Sequence, residues 1–166
     1  MAGSGHSGFD GVARAIRRYL AVLNYPPESD HSSIIRLIEA LDGLVAAYHA
    51  TPDIEPSEKD FEYPSRDLLG GWTRPAAIYQ KLPLYRVADA GEGSGESILV
   101  LDPSNDLSEI ADDMKTVIWL ADNVSEQDAI WEFRFGFFIH WGQHLFSVRN
   151  HLQRHQSWGE LSHAKT

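Results

Sequence analysis

The chain has 166 residues, which is enough to bury one hydrophobic core and short for two independent domains. Hydrophobic residues make up 43% and charged residues 23% of the chain, which argues against wholesale disorder and against a membrane protein. Lys and Arg number 14 against 24 Asp and Glu, and the net charge of −10 disfavours nucleic acid and anionic membranes as partners. Cysteine is absent, which excludes disulfides, thiolate catalysis and cysteine-based metal sites.

The first third of the chain predicts two amphipathic helices. Apolar residues at three- and four-residue steps, with Ser7 as the N-cap, predict a helix that ends near Asn24. A second series of this kind, capped by Ser32 or Ser33, predicts a helix that ends before Pro52. We expect the two helices to pack against each other in antiparallel orientation.

The middle of the chain predicts little regular structure. Residues 51–71 are rich in proline, glycine and acidic residues, which is typical of an ordered surface loop. Residues 75–81 predict a short helix, because Thr73 can cap it and Pro83 ends it. The strings LYRV and SILVL have the composition of short strands. A small β-hairpin around residues 84–101 is therefore one interpretation of this segment.

The last third predicts two more helices. Asp106 and Glu109 have the spacing of a capping box, and Ser125 and Asp128 repeat that spacing at the start of a final helix that extends to about His155. Only three residues separate the two helices, so we expect antiparallel neighbours. Residues that are equally far in sequence from the centre of this turn, at position 123.5, should then lie side by side. We refer to this rule as reflection about the turn.

These elements together predict a mainly α protein, a single-domain bundle of about four long helices. The domain is expected to span residues 1–155, with residues 156–166 as a flexible tail. The N-terminus lacks a secretory signal, which predicts a cytoplasmic protein. The most apolar stretch, residues 129–139, contains charged residues and is too short to cross a bilayer.

Arg134 lies within the apolar stripe of the final helix, where a guanidinium needs an anion. Reflection about the turn places Asp113 opposite, so we predict an Arg134–Asp113 ion pair that is shared with Glu109 or Glu132. We interpret this pair as structural, because paired buried charges more often set helix alignment than carry chemistry. The alternative is a small-anion binder in which Arg134 receives a carboxylate or phosphate.

His140 and His144 are one helical turn apart, a spacing that allows two imidazoles to bind one metal ion. Reflection brings His140 close to Asp106, which suggests a zinc site of His140, His144 and Asp106, with Glu109 or Asp102 as a fourth oxygen donor. The competing interpretation is that the histidines pair with acids or cap carbonyls. We predict no cofactor, and a metal-binding protein or a hydrolase that uses these histidines is the alternative.

Two glycines and two tryptophans of the final helix are predicted to serve helix packing. Gly136 and Gly142 each disfavour a helix by about 1 kcal/mol relative to alanine. We expect close approach of another backbone, from the first or second helix, to offset this cost. Trp131 and Trp141 are predicted to lie in the core.

The acidic residues are unevenly spread, because residues 89–113 contain eight Asp and Glu and no Lys or Arg. This run predicts a solvated acidic face, with a docking surface for a basic partner as the alternative. No complete set of nucleophile, base and orienting group can be assembled from the sequence. The leading hypothesis is therefore a non-enzymatic protein-interaction or regulatory module with an acidic surface and a protein partner.

A spaced pattern in the C-terminal half carries a family resemblance: Asp106-Leu107, Ile110, Asp113-Met114-Lys115, Ala129, Trp131, Phe135 and Trp141-Gly142. Over residues 106–152 this pattern resembles a bacterial family, the domain of unknown function 5063. The resemblance implies a small bacterial helical protein and no particular activity. The two candidate metal-binding histidines do not belong to the family pattern, so the resemblance lends the metal hypothesis no support.

Overall fold

The computed structural model describes residues 8–27, 29–89 and 97–163, with the backbone alone at residues 89 and 157–163. This part of the chain is mainly α, as the sequence predicts, with one two-stranded sheet. None of its helices is both long and apolar enough to span a bilayer. The elements in chain order are α1 (Gly8–Asn24), α2 (Asp30–Ala50), α3 (Ala77–Gln80), β1 (Tyr85–Asp89), β2 (Ser97–Leu101), α4 (Pro103–Asn123), α5 (Glu126–Ile139) and α6 (Trp141–His163).

The first two helices pack against each other and end where the sequence predicts. The cap of α2 is Ser29, whose side chain accepts a hydrogen bond from the Ser32 N–H, so the predicted caps are wrong. Ser33 instead donates its hydroxyl to the Pro27 carbonyl. The predicted Ser7 cap of α1 lies outside the described residues.

Residues 51–71 are irregular, as predicted, and the irregular structure continues to residue 76. The short helix α3 is present but begins two residues later than predicted. Thr73 does not cap α3, because Ala76 occupies that position without a side-chain hydrogen bond. The β-hairpin that the sequence suggests around residues 84–101 is present. Strands β1 and β2 pair antiparallel, with Tyr85 opposite Leu101 at one end of the ladder.

Helix α4 begins earlier than predicted. Its N-cap is Asp102, whose side chain accepts a hydrogen bond from the Ser104 N–H. Asp106 therefore lies inside the helix, and its side chain is available for contacts with other elements. The predicted cap of α5 is confirmed, because the Ser125 side chain accepts a hydrogen bond from the Asp128 N–H at 3.0 Å. The short connection holds α4 and α5 against each other.

The predicted final helix is two helices, α5 and α6, separated at His140. The backbone of His140 leaves the helical region, with φ −145° and ψ −82°. The turn buries the indole of Trp141, which donates a hydrogen bond to the Phe133 carbonyl at 3.0 Å. The backbone of α6 remains helical to His163, beyond the predicted end at residue 155. The flexible tail stays a prediction.

The core lies between the four long segments, α1, α2, α4 and the α5–α6 pair. Trp141 is fully buried there, as predicted. Trp131 is only partly buried and stacks on Phe135 with ring centroids 4.7 Å apart, so the prediction of a core position for it is wrong. The largest fully buried side chains are Trp141, Tyr19, Tyr79, Phe133, Ile16 and Leu23.

Candidate functional site

Two acidic side chains of α4 meet two histidines at the corner between α5 and α6. The Nδ1 of His144 lies 2.7 Å from Oδ1 of Asp106, and the Nδ1 of His140 lies 2.7 Å from Oδ2 of Asp113. The two imidazole centroids are 4.8 Å apart. We call these four residues the histidine–carboxylate cluster. The helix break at His140 positions the cluster, because it directs both rings toward α4.

Asp106 is the buried centre of the cluster, with only 3% of its surface exposed. Its second oxygen, Oδ2, accepts a hydrogen bond from the Tyr85 hydroxyl at 2.5 Å. The Tyr85 ring stacks on His151 of α6 with centroids 4.7 Å apart. The sequence does not indicate either contact, because nothing in the local pattern of β1 shows which helix it touches.

The pKa values of three groups at the cluster are raised, for different physical reasons. The hydrogen bond to Asp106 raises the pKa of His144 above its usual value, although burial acts in the other direction. Burial raises the pKa of the Asp113 carboxyl, and the neighbouring His140 partly offsets that rise. Burial and the contact with Asp106 also raise the pKa of the Tyr85 hydroxyl. His144 therefore keeps its proton over a wider pH range than a free histidine.

This shift predicts how stability depends on pH. Because the pKa of His144 is higher in the folded state than its ordinary value of 6.5, its stabilising effect is complete below that value. The effect should then decline as the pH rises through the folded pKa. We expect the difference in unfolding free energy between the wild type and His144→Gln to shrink as the pH rises above 6.5.

The measurement is urea unfolding at a series of pH values. The control is the same substitution in an Asp106→Asn background, where the partner charge is gone and the difference should vary much less with pH. A difference that grows with pH would contradict the assignment.

The structure does not assemble the predicted metal site. His140 pairs with Asp113 and not with Asp106, and its Nε2 lies 4.0 Å from the Glu109 carboxylate. Within the described residues, no three His, Cys, Asp or Glu side chains are placed to hold one metal ion. Zinc binding at His140 and His144 stays a hypothesis drawn from the sequence alone.

Arg134 does not contact Asp113, so the predicted ion pair is wrong. Its Nη1 donates to the carbonyls of Tyr48 and Thr51 at 3.0 and 2.7 Å, where α2 ends. Its Nε lies 3.5 Å from the Asp53 carboxylate. The Arg134 side chain therefore faces the end of α2 and not α4. Counting residues outward from the turn could not reveal this, because it ignores rotation about the helix axis.

The acids that were predicted to share that ion pair have other partners. Glu132 accepts a hydrogen bond from the Tyr63 hydroxyl at 2.7 Å. Burial raises the pKa of the Glu132 carboxyl, although this hydrogen bond opposes the rise. Glu109 faces His140. Both glutamates therefore have partners other than Arg134.

A cavity of about 200 Å³ opens beside Arg134. The guanidinium lies 4.8 Å from the centroid of the Tyr48 ring, which forms one wall. Asp53 stands at this site with 92% of its side chain exposed. We call this space the Arg134 pocket. Its lining residues are Tyr48, Asp53, Ile54, Trp131, Arg134, Phe135 and Phe138.

The acidic run does not form a purely solvated face over α4. Asp106 and Asp113 bind the histidines. Asp112 accepts a hydrogen bond from the Thr73 hydroxyl at 2.7 Å and also lies 3.3 Å from Arg66. Among the acids of residues 102–113, only Asp102 is largely exposed. The acids of this helix are therefore mostly occupied by internal contacts.

The two glycines are closely approached, but not by α1 or α2 as predicted. A Cβ added to Gly142 would lie 2.2 Å from the carbonyl oxygen of Phe137. A Cβ added to Gly136 would lie 2.9 Å from a ring carbon of Trp141. Both approaches arise from the α5–α6 corner itself.

Strand β2 exposes an apolar surface that the sequence does not predict. Ile98, Leu99 and Val100 are 64%, 45% and 58% exposed. In the part of the chain that the structure describes, β2 pairs with β1 alone. We call these three residues the β2 surface. A run of consecutive apolar residues normally predicts a buried strand, so the exposure of the β2 surface could not be predicted from the sequence.

Comparison with known proteins gives one family match. Residues 89–157 match the family model described as Domain of unknown function (DUF5063), which confirms the predicted resemblance over this segment. The matched segment contains β2, α4, α5 and most of α6, and therefore the histidine–carboxylate cluster and Arg134. No curated protein and no solved structure gives a match. The C-terminal half of the chain thus resembles this family.

Proposed function

We propose that the protein is a non-enzymatic interaction module that binds an extended, apolar segment of a partner protein by strand addition to β2. The observation that carries the proposal is the β2 surface, which leaves three large aliphatic side chains in water. Large apolar groups on a sheet edge are typical of protein-binding sites.

The chemistry of the strand supports this function. A two-stranded sheet is at best marginally stable by itself, and an unpaired edge presents N–H and C=O groups to any added strand. Natural edge strands are often protected by Lys, Pro or a bulge. Strand β2, with the sequence SILVL, contains no charged residue and no proline. The edge is therefore chemically suited to accept a partner strand.

The hairpin is also held in position before any partner arrives. The Tyr85 hydroxyl bonds to buried Asp106, and the Tyr85 ring stacks on His151. These contacts join β1 to α4 and α6, so the strand pair does not have to be ordered on binding. Preorganisation of this kind reduces the entropic cost of association.

The charge of the chain favours a protein partner over a nucleic acid or an anionic membrane. The net charge is −10, so phosphate-rich partners are repelled at long range. The proposed segment presents aliphatic side chains to the β2 surface, and neutral or basic residues outside it. The paired histidines of the cluster are assigned a structural role in this proposal.

A site-specific photocrosslinker tests the proposal. Benzoylphenylalanine at Leu99 of β2 should capture a partner in expressing cells, whereas the same group at Leu68, in the irregular middle segment, should not. The captured peptide is identified by mass spectrometry, synthesised and titrated calorimetrically against the purified protein. Ile98→Lys should weaken its binding by about tenfold or more, because a charge must be desolvated at the edge.

Leu68→Lys is the matched control, since Leu68 and Ile98 are both 64% exposed. That variant should bind the peptide as the wild type does. Equal crosslinking at the two positions would refute the proposal. So would a captured partner that proves to be a second copy of this chain, or a peptide whose affinity is insensitive to Ile98→Lys.

A further inference from the structure

We infer that the Arg134 pocket binds a small organic carboxylate that has one aromatic or branched aliphatic group. The carboxylate would bind the guanidinium, and the apolar group would occupy the space between the aromatic walls. This inference does not depend on strand addition to β2, because the two sites share no residue.

The guanidinium has unused hydrogen-bonding capacity. Only 19% of the Arg134 side chain is exposed, and its Nη1 already serves the two carbonyls at the end of α2. Its Nε is buried and has no hydrogen-bond partner. Nε and Nη2 form the side-on edge of a guanidinium, and a carboxylate can accept from both atoms at once. A buried cation with an unsatisfied donor favours an anion at this edge.

Asp53 indicates which kind of anion fits. Its carboxylate lies 3.5 Å from Nε, too far for a good hydrogen bond, and its side chain is 92% exposed. It approaches the guanidinium but leaves the Nε hydrogen bond unmade. The nearby negative charge disfavours a doubly charged phosphate more than a singly charged carboxylate. A ligand carboxylate can therefore displace Asp53 toward solvent and make the bond that Asp53 does not make.

The walls define the rest of the ligand. Four aromatic side chains line the pocket, and Phe138 among them is 76% exposed. Exposed aromatic surface beside a cavity gains free energy when an apolar group covers it. The volume of about 200 Å³ is below the roughly 300–1,000 Å³ of drug-sized sites. The pocket therefore suits a ligand with a single ring or a short branched chain.

Phenylacetate is a suitable probe, and NMR titration of the isotopically labelled protein measures its affinity. Asp53→Asn should tighten phenylacetate binding by about two- to fivefold, because a competing like charge is removed from the site. The matched control Asp122→Asn removes an exposed charge at the end of α4 and should leave affinity unchanged. Phe138→Ala should weaken phenylacetate binding while leaving the fold intact, because Phe138 is mostly exposed.

Two further ligands complete the test. Phenylacetamide has the same shape without the charge and should bind about tenfold more weakly or worse. An N-acetylated tripeptide with a free C-terminal phenylalanine also carries a carboxylate close to an aromatic ring, but it is a larger molecule. It should bind less tightly than phenylacetate. The inference is overturned if phenylacetate shows no saturable binding, if Asp53→Asn fails to improve it, or if phosphate or the tripeptide binds more tightly.

Discussion

Gly142→Ala is expected to lower the free energy of unfolding by about 3 kcal/mol. The new Cβ would lie 2.2 Å from the carbonyl oxygen of Phe137, and backbone atoms cannot move aside as a flexible side chain can. The contact lies inside the corner that buries Trp141, so relief requires the corner to open. Chemical denaturation at neutral pH measures the loss.

Gly43→Ala is the matched control for this substitution. Gly43 also lies within a helix, α2, but a Cβ added there would meet nothing within 4 Å. Alanine should stabilise α2 by up to about 1 kcal/mol, because it is the better helix former. Equal effects at the two glycines would show that helix propensity, and not the approach of Phe137, governs Gly142.

Asp106→Ala is expected to cost about 2–3 kcal/mol, since its removal leaves the partly buried His144 and the Tyr85 hydroxyl without their shared hydrogen-bond partner. Asp106 is 3% exposed and binds both the His144 imidazole and the Tyr85 hydroxyl. Both partners would keep their desolvation cost after the carboxylate is removed. Thermal and chemical denaturation should therefore show a large loss.

A surface pair provides the comparison. Asp42 binds Arg149 through two hydrogen bonds, but half of the Asp42 side chain is exposed. Asp42→Ala should cost less than about 1 kcal/mol, because solvent screens such a pair. If Asp106→Ala proves no more costly than Asp42→Ala, the buried carboxylate is not the anchor that the geometry indicates.

The helices could be read from the sequence because their signals are local. The apolar period and the proline at position 52 predict the C-terminal end of α2, and the Ser125–Asp128 spacing predicts the start of α5. The composition of SILVL likewise supports the hairpin that the structure contains. Each of these signals depends on neighbouring residues alone, so it can be interpreted without knowledge of the tertiary structure.

The helix break and the site partners could not be read in this way. The break at His140 has no proline, and it depends on burial of the Trp141 indole and on the close approach that Gly142 permits. The pairing of Arg134 with the end of α2 depends on how α5 is rotated about its axis. Counting residues outward from a turn predicts the position of a residue along the helix axis, but it does not predict the rotation of the helix about that axis. The proximity of histidines and acids was therefore foreseen, whereas their individual partners were not.

The chain of hydrogen bonds from Tyr85 through Asp106 to His144 connects segments that are far apart in sequence. A hairpin of five-residue strands in isolation would open and close readily. Here its opening must also break contacts inside the helical body, so strand and helices become one cooperative unit. Amide hydrogens of the β1–β2 ladder should consequently exchange with solvent at rates closer to those of α4 than to those of the irregular segment after α2.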